Sequence, residues 1–139
     1  MLSKETMEFL NSACRRSAQL WDQGGLIYLY KYGYHRAHSF IPNDILKDSR
    51  DRLPLDEKEK ELILKLFGAA FCEFETESTS ISSDTMIWVS DFISLLSKDL
   101  DGMHSLVYEY DNDCCSIDLT LLFVENNDFH SLKLFWSMD

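Results

Sequence analysis

Residues 104–136 constrain the fold most, because over this stretch apolar side chains recur at every second position and turn residues interrupt the pattern twice. In 106–111, Leu106, Tyr108 and Tyr110 alternate with Val107, Glu109 and Asp111. In 116–125, Ile117, Leu119, Leu121 and Phe123 alternate with Asp118, Thr120, Leu122 and Val124, so this strand is apolar on both faces and is expected at the centre of a sheet. In 130–136, Leu132, Leu134 and Trp136 alternate with Ser131, Lys133 and Phe135. The connections Asp111-Asn112-Asp113 and Asn126-Asn127-Asp128 hold residues that tolerate left-handed backbone and bond their own main chain, which predicts two hairpins in series. The result is a three-stranded antiparallel meander. Such a sheet needs helices over its buried face, and the earlier part of the chain must supply them.

It does so with about three helices. Ser3 is placed to cap a helix reaching about Gln23, with Met7, Leu10, Cys14 and Trp21 on one face, Phe9, Ala13 and Leu20 beside them, and Gly24-Gly25 ending it. Asp56 and Glu59 have capping-box spacing ahead of a stripe formed by Leu62, Ile63, Leu66, Phe67, Ala70, Phe71 and Phe74. Asp84 opens a third helix in which Ser90, Asp91, Ser94, Ser97, Lys98 and Asp101 lie on one stripe while Met86, Val89, Phe92, Ile93, Leu95 and Leu96 fill the rest. This predicts a mostly buried helix stopped by Gly102. Between the first two helices, Tyr28, Tyr30, Tyr32 and Tyr34 recur at period two and favour an additional strand near 26–34, although 26–29 is apolar throughout and a helix also fits. Residues 42–54 and 76–83 are polar and turn-rich, and read as connections. The expected class is α+β, a single domain over 1–139.

Charge is segregated along the chain. Residues 1–70 carry 11 Lys/Arg and 10 Asp/Glu, for +1; residues 71–139 carry 2 and 14, for −12; together these give the net −11. From residue 99 onward nine acids face a single cation, Lys133. Solubility needs fewer charges than this and would mix their signs.

Sites with recognisable chemistry are scarce. His35 and His38, or Cys114-Cys115 between His104 and His130, lack zinc spacing, which leaves surface histidines and core thiols as the expectation. Asp111-Asn112-Asp113 begins like a calcium loop, but Ser116 stands where Gly is required and Leu122 where the twelfth-position acid belongs. Asp56-Glu57-Lys58 has the acid-x-Lys spacing of a metal-dependent nuclease within what reads as a solvated helix face. Lys31, Tyr32, Tyr34, His35, Arg36 and His38 could stack bases, yet a pI near 4.6 repels phosphates. No cofactor, metal or catalytic residue is therefore expected, nor direct nucleic-acid contact. Cys14, Cys72, Cys114 and Cys115 have no secreted-framework spacing and are expected reduced. With no apolar leader at the start and no membrane-length apolar run, the cytoplasm is the default location.

The expectation that remains is a non-enzymatic acidic binding protein. Its predicted surface comprises Glu109, Asp111, Asp113, Asp118, Glu125 and Asp128, with Tyr108, Tyr110 and Trp136 as anchors where they are not buried. A basic protein is the expected partner, most specifically a nuclease toxin held by an immunity-protein or antitoxin-like inhibitor. A DNA-mimicking regulator and a small carboxylate- and metal-dependent hydrolase are the alternatives.

Overall fold

A computed structural model of the chain describes residues 2–20, 29–35, 57–71, 81–100, 104–113, 116–125 and 128–137, with backbone alone for 29–35, 104–109, 124–125 and 128–129. Among the described residues, four strands form one antiparallel sheet in the order β1-β4-β3-β2, from β1 (Leu29–His35), β2 (His104–Asn112), β3 (Ser116–Glu125) and β4 (Asp128–Ser137). Tyr30, Tyr32 and Tyr34 thus lie in a true strand, while 26–28 with Tyr28 fall outside the described residues; the strand docks on the outer side of β4 and leaves both β3 and β4 paired on two sides. The architecture is α+β.

The register explains the buried face. Ile117 lies opposite Trp136, Leu119 opposite Leu134, Leu121 opposite Leu132 and Phe123 opposite His130. All eight are buried. Tyr30, Tyr32 and Tyr34 occupy register positions opposite Leu134, Leu132 and His130, on this same face. Leu122 belongs to the opposite face and is nevertheless only 1% exposed, so that face is not uniformly wet.

On β2 the simple alternation fails. Val107 pairs with Leu121 and Glu109 with Thr120, so Tyr108 is an extra residue in a bulge. An inserted residue reverses parity: Val107 and Tyr110 share the core-facing side with Leu121 and Leu119, while Leu106, Glu109 and Asp111 fall on the other.

The first helix, α1 (Lys4–Leu20), is capped by Ser3, whose Oγ accepts the Thr6 N–H at 3.2 Å. Its expected extension to Gln23 and the Gly24-Gly25 stop lie outside the described residues. The buried line is Thr6, Leu10, Ala13 and Ser17, with Met7 and Cys14 only half-buried beside it, so the face is turned from the one expected. Two polar residues can stand in this line because each donates a hydrogen bond. Thr6 Oγ1 reaches Asp99 Oδ2 at 2.6 Å, and Ser17 Oγ reaches the Ala70 carbonyl at 2.7 Å.

The second helix, α2 (Glu57–Ala70), buries Leu62, Ile63, Leu66, Phe67 and Ala70, with Phe71 just beyond, as its stripe predicts. Asp56 and Phe74 lie outside the described residues. This helix packs on β3 and β4. The third, α3 (Ser83–Asp99), begins one residue before Asp84, with Ser82 Oγ accepting the Thr85 N–H at 3.2 Å. Gly102, its expected stop, is outside the described residues. The mostly buried helix expected here is corrected: Thr85, Val89, Phe92 and Leu96 are buried, but Met86 is 54% and Ile87 58% exposed. The reason is position. The main contacts of α3 are with α1 and α2, not with the sheet, so a single face is covered.

At this helical junction Phe9 lies 5.8 Å from Phe92, 5.2 Å from Trp88 and 6.5 Å from Phe67, and Phe71 meets Phe67 edge-on at 5.6 Å. The Arg16 guanidinium covers the Phe71 ring at 5.1 Å and the Trp88 ring at 5.5 Å, lending the cluster a cationic lid. One apolar cluster runs from these rings to the sheet.

Candidate acidic interface

The hairpin between β2 and β3 gathers three of the predicted carboxylates. The Asp113 N–H donates to the Ser116 carbonyl at 2.9 Å, which closes the strand ends and fixes Asp111 and Asp113 on the exposed tip. Cys114 and Cys115 lie outside the described residues. Asp111 is directly opposite Asp118 across the ladder, and two like charges in that relation destabilise a strand pair. Lys133 of β4 relieves this, with Nζ 3.2 Å from Asp118 Oδ1. Both partners are partly exposed, so the bridge contributes little to stability. Its importance is local: the only Lys or Arg after residue 98 is engaged within the sheet.

The remaining predicted residues divide differently. Glu109 occupies the register position opposite Thr120, one step from the Asp111–Asp118 pair and on the same sheet face. Glu125 and Asp128 pair with each other at the far end of β3, seven residues from Asp118, or roughly 23 Å at the rise of a strand. They belong to the other hairpin, so the six acids do not form one patch. The turn residues Asn126 and Asn127 lie outside the described residues.

The aromatic anchors need correction. Trp136 is 1% exposed, because its parity places it on the face of Leu132 and Leu134, under the helices. Tyr110 is half-buried against the core, again on the helix-covered side because of the bulge, and its enclosed hydroxyl has no hydrogen-bond partner among the described residues. Neither is presented to a partner as an open aromatic surface. Tyr108 is the bulge residue, and its side chain lies outside the described residues, as do those of Glu109, Glu125 and Asp128. His130, expected at the surface, is 5% exposed opposite Phe123.

Among the described residues, no three His, Cys, Asp or Glu side chains come together as metal ligands, and no helix is long and apolar enough to cross a membrane. Cys14 is a half-buried thiol in no disulfide; Cys72 lies outside the described residues. Burial pushes the Cys14 thiol up to about 11, against weaker opposing effects from Arg15 and a backbone hydrogen bond. A neutral thiol of that kind is a poor nucleophile.

Two features were not anticipated. The ion pair of Lys133 with Asp118 could have been sought, since Lys133 is the one Lys or Arg after residue 98 and six of the nine acids there fall on the strands or the β2–β3 turn. The other is an open groove of about 590 Å³ between α2 and α3, with Leu64, Met86, Val89 and Ile93 in its wall and Glu57, Lys60 and Glu61 at its edge. Nothing in the periodicity of α3 distinguished this exposed apolar side from a core-facing one.

No protein-family model, curated protein or solved structure matches the chain.

Proposed function

We propose that this chain is an acidic binding protein that neutralises a basic protein partner through the β2–β3 end of its sheet. In the most specific form of this reading, it is a cytoplasmic immunity-type inhibitor of a nuclease toxin. The observation that carries the proposal is the exposed pair Asp111 and Asp113 beside Asp118, in a half-chain with a net charge of −12 whose one nearby lysine is already occupied. A nuclease must present a cationic cleft to bind phosphate. Carboxylates held on a hairpin can enter or cover such a cleft, and the summed field of the acidic half accelerates encounter by steering. In this reading the protein acts by occupancy and carries out no chemistry. Glu125 and Asp128, at the opposite end, add to the long-range field without sharing the contact.

The test is affinity capture from the native lysate, with salt raised stepwise and retained proteins identified by mass spectrometry, using wild type and Asp111→Lys/Asp113→Lys in parallel. The double variant changes the net charge from −11 to −7. The expected result is a basic protein retained by wild type at low salt, released as salt rises, and bound at least about tenfold more weakly by the variant, mainly through slower association. Equal retention by both forms, or retention indifferent to salt, would overturn the assignment of the contact to this hairpin.

A further inference from the structure

No further inference is drawn: the strongest candidate, the apolar groove between α2 and α3 walled by Leu64, Met86, Val89 and Ile93, has an edge on which Glu57 is matched by Lys60 and Glu61 by Lys65, so its charge selects no occupant and nothing in the structure shows what covers it.

Discussion

Cys14 gives the most direct residue-scale prediction. With the thiol pushed up from 9.0 to about 11, roughly one molecule in a thousand carries the thiolate at pH 8, against about one in ten without burial. Alkylation by iodoacetamide at pH 8, followed by peptide mass mapping, is expected to modify Cys14 about a hundredfold more slowly in the native protein than in denaturant; similar rates would show that the thiol is not shielded. The sign for stability follows from the same burial. The fold prefers the protonated thiol, so its contribution is complete below pH 9.0 and is lost as pH rises through about 11. Trp136 and Asp111 form a second contrast. Trp136→Ala should lower the unfolding free energy by about 3–5 kcal/mol, as expected for a large side chain removed from a closed core, while Asp111→Asn should change it by no more than about 0.5 kcal/mol. Urea denaturation distinguishes these, and a small effect at Trp136 would mean that its environment is open. The sequence could not assign Trp136, because alternation identifies residues that share a face without saying which face the helices cover.

The joint between α1 and α3 shows how one side chain connects two elements. Asp99 Oδ2 accepts hydrogen bonds from the Ser3 N–H at 2.9 Å, Ser3 Oγ at 3.2 Å and Thr6 Oγ1 at 2.6 Å. A carboxylate at the end of α3 is unfavourable for that helix's own dipole. At the start of α1 the same charge is favourable, and it satisfies donors that the first turn would otherwise leave open. Asp99→Ala should cost about 1–3 kcal/mol, and combining it with Thr6→Val should cost less than the sum, since both remove the same bond. Additive losses in thermal denaturation would show that the joint is not cooperative. Such long-range polar contacts leave little trace in sequence: Thr6 and Ser17 look like solvent-facing positions until their partners, 93 and 53 residues away, are placed. The helices, the strands and the Ser3 cap were legible because they depend on neighbours along the chain. The bulge at Tyr108 was not, because its cause lies in the register with β3, and it puts Tyr110 on the opposite face from Leu106, with which alternation groups it.

Across the whole molecule, 24 acids against 13 Lys and Arg make self-repulsion a standing cost of the compact state. Raising NaCl from low concentration to about 0.2 M, where the screening length falls below about 10 Å, is therefore expected to raise the Tm, and Asp111→Lys/Asp113→Lys should show a smaller rise. A fall in Tm would mean that attractive pairs outweigh the repulsion. Charge segregation was fully legible in the sequence. Its division between two ends of the sheet was not, because that depends on which hairpin each acid joins. The strand order has a kinetic consequence. β4 is the last of the described strands in chain order and yet lies inside the sheet, and β1 pairs only with it among them, Leu29 opposite Phe135. During synthesis β1 leaves the ribosome long before the strand that will receive it. Vectorial folding from the N-terminus therefore cannot complete this sheet. Until residues 128–137 arrive, β3 lacks one of its neighbours and β1 lacks the strand it pairs with among the described residues, so these edges stay unpaired until β4 is made.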